Sequence, residues 1–266
     1  MKIRSSMLAA CMLAGSALCA SAQETDVHNV DIVGLKLGMP PDLAIKMASA
    51  AIGHASVQLY RQSLTMGTFT SKPLTFGARI SNSDKGGDVE ETEVIFSSKP
   101  GDGLVFLSRN EEYEALGQKI AMSTLKDSLI KKYGPPTFID DSTYYEMVWN
   151  YNPSIKAGSG KKIDPMSAAG NCAIRLGKNT LSAFMLGTVD GMAGEVALTS
   201  KCGPWMKVDI FPSYTNNQLV GTMTIILGDL TKVAASYTYL NQMLAQGASA
   251  SANAEKAGAV GNRPNL

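Results

Sequence analysis

Few residues in this chain have the type and spacing that chemistry needs. Its two histidines, His28 and His54, belong to no H-E-x-x-H or paired-His pattern, so a catalytic zinc site is not expected. There is no G-x-S-x-G, no P-loop and no G-x-G-x-x-G. The acidic pairs Glu90-Glu91, Glu111-Glu112 and Asp140-Asp141 supply carboxylates. Neighbours at i, i+1 point apart in a strand, so each pair reads as solvated rather than as an acid/base couple. Lys131-Lys132 and Lys161-Lys162 read the same way. The remaining signal is aromatic: Tyr144, Tyr145, Trp149 and Tyr151, together with Trp205, could form a recognition face, because Tyr and Trp dominate binding hot spots. Tyr145, Met147, Trp149 and Tyr151 also alternate, which equally fits a core face lying under a helix. No cofactor is implied.

The compartment follows from the N-terminus. Lys2 and Arg4 precede an apolar run, Met7–Leu18, and then Ala20-Ser21-Ala22, the layout of a secretory signal peptide over residues 1–22. Leu8-Ala9-Ala10-Cys11 resembles a lipobox, but it follows almost no apolar segment. Cleavage after Ala22 removes two basic residues and no acidic one, taking the formal charge from +1 to −1. That balance, without a Lys/Arg cluster interleaved with aromatics, argues against nucleic acid as a partner. No stretch of membrane-spanning length follows the signal. Cys172 and Cys202 are then the only cysteines left. In an oxidising compartment they are expected to pair, two buried thiols being the alternative.

The elements that position these residues come from periodicity. Pro41 suits the first position of a helix that carries Leu43, Met47, Ala50 and Ala51 as its apolar stripe and stops at Gly53. A second helix runs from a Ser123 cap through Leu125, Leu129, Ile130 and Tyr133 to Gly134-Pro135-Pro136. A third starts at an Asp229 cap and ends at Gly247. Strands are expected over 56–61, 75–81, 89–97, 104–109, 144–151, 172–176, 181–186, 196–199, 206–211 and 218–227. The Lys99–Gly103 turn marks a hairpin. Thr92, Val94 and Phe96 face one way there, and Glu91, Glu93 and Ile95 the other. Val208 and Ile210 alternate with Lys207 and Asp209, as in a strand with one wet face. The reading is an α+β fold with helices packed on one face of antiparallel sheet, in one piece or as two tandem helix-plus-sheet units. Its divisions are a flexible N-terminus at 23–30, a first unit at 31–115, a second unit with the C-terminal helix at 116–247, and a disordered tail at 248–266, with 152–171 as a long loop.

Three short patterns, Gly34-x-x-Leu37-Gly38-Met39, Lys132-Tyr133-Gly134-Pro135-Pro136 and Trp149-x-Tyr151, resemble those of a set of uncharacterised secreted proteobacterial proteins. In architecture the stretch 31–151 is similar to the β-lactamase-inhibitor-protein-like group, which includes the SmpA-type outer-membrane assembly lipoproteins. The resemblance implies helices on one face of an antiparallel sheet, sometimes in tandem, and defines no functional residue. The expectation is a periplasmic or secreted, non-enzymatic binding module whose partner is an envelope protein or envelope component. An inhibitor of a secreted enzyme, and a hydrolase with a carboxylate site hidden from sequence, are the alternatives.

Overall fold

A computed structural model describes residues 27–53, 55–82, 90–113, 117, 119–141, 144–155, 172 and 200–261. The expected signal segment, His54, Lys161-Lys162, the three strands between 172 and 199 apart from Cys172, and the loop beyond residue 155 lie outside them.

Helix α1 (Pro41–Ile52) opens with Pro at its first position and closes on Gly53, whose φ of 64 lies in the left-handed region. Its buried side is Ala44, Ala48 and Ile52, not the expected stripe; Leu43 is 45% exposed and Ala50 and Ala51 are also exposed. The small side chains of Ala44 and Ala48 let the helix axis approach the sheet closely, and that selects the face. Helix α2 (Met122–Tyr133) buries Leu125, Leu129 and Tyr133 as expected, but Ile130, expected in the same stripe, is exposed. Ala121, not Ser123, is the N-cap, and no side chain caps this end. Gly134, at φ 80, donates its N–H to Ile130 O and ends the helix.

Ten strands follow: β1 (Ser56–Gln62), β2 (Thr65–Met66), β3 (Phe69–Thr70), β4 (Leu74–Ser81), β5 (Glu90–Phe96), β6 (Leu104–Glu112), β7 (Phe138–Asp140), β8 (Tyr145–Asn150), β9 (Pro204–Pro212) and β10 (Val220–Asp229). Eight of them form one antiparallel sheet in the order β1-β4-β5-β6-β10-β9-β8-β7, and β2-β3 is a separate hairpin. The two sequence segments therefore share a single sheet, joined where β6 pairs with β10.

The joined halves repeat one plan: lead-in, helix, then a four-stranded meander. Before α1, Gly38 N–H donates to Leu104 O (2.7 Å) and Leu104 N–H donates to Met39 O (2.8 Å). Gly103 makes room for this crossing, since a Cβ there would lie 2.5 Å from Gly38 O. Before α2, Val220 N–H donates to Ile120 O (2.9 Å) and Met122 N–H donates to Gln218 O (2.8 Å). Leu104 and Val220 thus begin the last strand of each half at matching points. The residue after each, Val105 or Gly221, lies at a register shift against the preceding strand. Such bulges change the alternation locally. At the β5/β6 bulge Val105 and Phe106 turn to one face and Leu104 and Leu107 to the other.

On the first face α1 and α2 cover Ala78, Ile80, Val94, Leu107, Met147, Val208 and Leu227, with the lead-in residues Val27, Val30 and Ile32. Residues 27–30 are therefore not a flexible end: Val27–Asn29 is a short 3-10 turn, and Val27 and Val30 are buried. The third helix, α3 (Leu230–Gly261), departs from the expectation twice. It packs on the opposite face, where Leu230, Val233 and Tyr237 meet Ile95, Phe106, Trp205 and Ile226. It also runs past Gly247 to Gly261, through the segment read as a disordered tail. Gly247 is there because the Phe69 ring rests on it, with ring carbons 2.4–2.6 Å from where a Cβ would sit. Six alanines between 248 and 261 then sustain the helix. Asp229 caps it as expected, accepting from Lys232 N–H at 3.1 Å.

Candidate functional site

The expected aromatic set is not one surface. Tyr145, Trp149 and Tyr151 lie on the α1/α2 side. The indole N–H of buried Trp149 donates to Gly134 O (3.0 Å), and its ring meets Tyr133 edge-on. Lys126 Nζ stands 3.2 Å from the centre of the Tyr145 ring. Trp205 is fully buried on the α3 side, its N–H donating to Cys202 O (2.7 Å). Cys202 is joined to Cys172, and both are buried. Tyr144 and Tyr145 are both partly exposed; Tyr144 stacks on Phe211, which is 41% exposed.

Two polar assemblies sit in the sheet. The first is on the α1/α2 side. Buried Arg109 binds Glu90 (3.2 Å) and Glu111 (2.5 Å) and donates to Thr92 Oγ1, while Tyr113 O–H donates to Glu111 (2.7 Å). Arg109 thereby serves two carboxylates from neighbouring strands.

The second crosses the α3 side in two rows set by register. One row is Arg79, Glu93, Ser108, Ile226 and Lys207; the other is Ser81, Glu91, Asn110, Thr224, Asp209 and Glu146. Arg79 clamps Glu91 at 2.6 Å. Lys207 sits between Glu146 (2.7 Å) and Asp209 (3.2 Å). Thr224 O–H donates to Asn110 (2.9 Å), Tyr144 O–H to Glu146 (3.4 Å), and Tyr60 O–H to Glu93.

The repeat relates these rows. Glu93 lies opposite Ser108, four residues beyond Leu104; Asp209 lies opposite Thr224, four beyond Val220. Glu93 and Asp209 therefore occupy equivalent positions. So do Arg79 and Glu146, and Glu91 and Lys207. Each half pairs a cation with one carboxylate, with the polarity reversed between halves, and adds a further carboxylate: Glu93 in the first, and Asp209, itself 3.2 Å from Lys207, in the second. Each of those carboxylates keeps a buried oxygen without a hydrogen-bond partner, Glu93 Oε2 and Asp209 Oδ1, and Ser108 Oγ between them is also unpartnered. Such groups are costly: a buried polar atom left unpaired loses about 1–3 kcal/mol, more when charged. Burial pushes the Asp209 carboxyl up to about 6; Lys207 opposes that shift and Glu146 adds to it. Burial works against the Lys207 charge, yet Asp209 and Glu146 hold its pKa above the usual lysine value.

Chemically, the α3 side offers carboxylate and hydroxyl acceptors in search of donors, with a small aromatic ledge at the Tyr144 end. Among the described residues no group of three or more His, Cys, Asp and Glu is arranged to hold a metal ion, and no helix is long and apolar enough to cross a membrane. Sequence alternation put Glu91 and Glu93, and Lys207 and Asp209, on one side of their own strands. It could not show that both sets share a face of one sheet. No family model matches the chain, and no curated protein or solved structure matches it either.

Proposed function

We propose that the chain is a periplasmic or secreted binding module, and that its ligand seat is the polar part of the α3 side of the sheet. One observation carries the reading: the duplicated carboxylates Glu93 and Asp209, each holding a buried acceptor oxygen with nothing to satisfy it. Buried polar groups are nearly always hydrogen-bonded, so each exception calls for an explanation, and a ligand that brings the missing donors is the one we adopt. The Cys172–Cys202 bond supports an oxidising compartment. The near-neutral charge and the N-terminal pattern of residues 1–22 agree with export of the chain.

The test has two arms. Osmotic-shock fractionation should release the protein with Cys172 and Cys202 oxidised, and a small-molecule library should raise its melting temperature in a manner lost in Glu93→Gln. Recovery from the cytosol with reduced cysteines would reject the compartment. A hydrolase is the second reading, favoured by the Asp209 carboxyl standing near 6 beside Glu146. Turnover of a hydrolase substrate panel that disappears in Asp209→Asn would replace the binding module with an enzyme.

A further inference from the structure

We propose that the chain forms a two-fold dimer in which β1 pairs antiparallel with β1 of a second copy, Leu59 opposite Leu59. This goes beyond the ligand-binding reading and does not depend on it.

The two outer edges of the sheet differ. β1 and β7 hold equivalent ends of the two halves. An outer strand leaves a row of backbone N–H and C=O groups without sheet partners, and natural folds blunt such edges with short strands, charge, proline or bulges. β7 is blunted: it has three residues and ends on Asp140, with Asp141 beside it. β1 is not. It has seven residues, with no proline, no carboxylate and a single cation, Arg61. The register shift in the β1/β4 ladder leaves its extra residue, Phe76, in β4, so β1 itself is unbroken. All of β1 except Tyr60 is exposed, including the apolar Val57 (44%) and Leu59 (37%).

The strand matches itself. A two-fold axis perpendicular to the sheet at Leu59, the central residue of β1, opposes Ser56 to Gln62, Val57 to Arg61 and Gln58 to Tyr60 of the other copy. Each side chain then keeps its own face, as a continuous sheet requires. Val57 and Leu59 lie opposite Ile80 and Ala78 in the β1/β4 ladder, on the α1 side. The axis gathers these residues of both copies into one apolar strip, with the Arg61 stems along Val57. No like charges face each other: the two Arg61 residues are four positions apart, ~13 Å along the strands, which exceeds the screening length at physiological salt.

The molecule already contains a join of this kind. Its two halves unite through antiparallel β6 and β10, with Leu107 opposite Leu227 on the α1/α2 side. Pairing of β1 repeats that arrangement at the outer edge, leucine opposite leucine on the same side of the sheet. A strand from another protein is the other occupant that such an edge admits. The self-matching register and the internal precedent favour a second copy.

Sedimentation equilibrium of the purified chain tests the dimer. A single-strand join is small beside a standard interface, so the dimer should dissociate on dilution. Val57→Lys combined with Leu59→Lys, which charges the edge, should weaken it at least tenfold while the circular-dichroism spectrum stays that of the parent. Lys46→Ala on exposed α1 surface should leave it as it is. Oxidative cross-linking tests the register. Leu59→Cys should join to its copy at least tenfold faster than Ser56→Cys, whose two Cα atoms lie ~20 Å apart along the paired strands, beyond disulfide reach. Equal cross-linking of the two, or none at Leu59→Cys, overturns the proposal. So does a dimer unchanged by the lysine pair, or a monomeric mass at about 1 mM chain, where even a millimolar dimer would be half formed. A monomer that takes up members of a library of extended peptides, and loses them in the lysine variant, gives the edge to a foreign strand and overturns it too. If the lysine variant fails to fold, Leu59→Cys against Ser56→Cys decides alone.

Discussion

Val33 is the only non-glycine residue with positive φ among the described residues, at 48, and Gly34 follows at 84. Ile32 and Leu35 exchange both backbone hydrogen bonds around them (3.0 and 2.9 Å), closing a two-residue hairpin loop that needs left-handed residues at both central positions. A β-branched side chain pays about 1–2 kcal/mol for that conformation, and Val33 is 39% exposed, so little burial offsets it. Val33→Asn should therefore stabilise the protein by about 1 kcal/mol in urea denaturation; a loss of stability would mean that the Val33 side chain makes a contact worth more than the strain. Asp209 gives a pH signature. Its folded pKa, about 6, lies above the ordinary 3.8, so the fold disfavours the ionised form. Its contribution to stability is greatest below the lower value and falls as pH rises from about 4 through about 6. Glu146 of β8, Tyr144 just before that strand, Lys207 of β9 and Thr224 of β10 face it. Asp209→Asn should flatten the melting-temperature slope across that window, and an unchanged slope would assign the titration elsewhere. At this scale the sequence was legible strand by strand. Lys207 and Asp209 are visibly on a polar side of their strand, and Glu91 and Glu93 on one side of theirs. What pairing does to them depends on contacts more than 100 residues apart, such as Asn110 with Thr224.

At the scale of elements, the two leading helices test how well spacing predicts a buried face. For α2 the stripe of large residues is the buried one, since Leu125, Leu129 and Tyr133 supply the bulk. For α1 the bulky residues mislead. Leu43 is exposed, Met47 is half-buried against the Gly34 turn, and the contact surface is the small residues Ala44 and Ala48. Hydrophobic size and close approach pull in opposite directions on such a helix, and the closer approach prevails. Leu129→Ala should cost about 2–5 kcal/mol through lost transfer energy and a cavity. Leu43→Ala should stay within about 0.5 kcal/mol. Denaturation midpoints of the two variants compare them directly, and comparable losses would place Leu43 in the core after all. The third helix outruns its apparent stop for a related reason. A glycine after an apolar stripe is the usual stop signal, but Gly247 is small because Phe69 from a distant hairpin occupies the place of a side chain. Thr68 and Ser251 share a further hydrogen bond at 3.0 Å, tying the same hairpin to the extended part of α3.

At the scale of the whole molecule, the repeat bears on how the chain unfolds. Two helix-plus-sheet segments could behave as two domains, each with its own core. Here their last strands are bonded to each other, and Leu107 of β6 lies opposite Leu227 of β10, both fully buried in one layer beneath α1 and α2. Separating the halves would expose that layer along its length and break the whole β6/β10 ladder. Neither half can melt without removing the cover from the other, so calorimetry of the intact chain should give a single transition whose calorimetric and van 't Hoff enthalpies agree. Leu107→Ala and Leu227→Ala, one in each segment, should each lower that same transition. A cost of about 2–5 kcal/mol is expected for each, with about 2–4 °C of midpoint shift per kcal/mol in a chain of this size. Because the two residues touch, their effects should also fail to add, the double variant losing less or more than the two singles together by at least about 0.5 kcal/mol. Two resolved transitions, with Leu107→Ala moving one and Leu227→Ala moving the other, would show that the halves fold separately and that the shared sheet is only a docked interface.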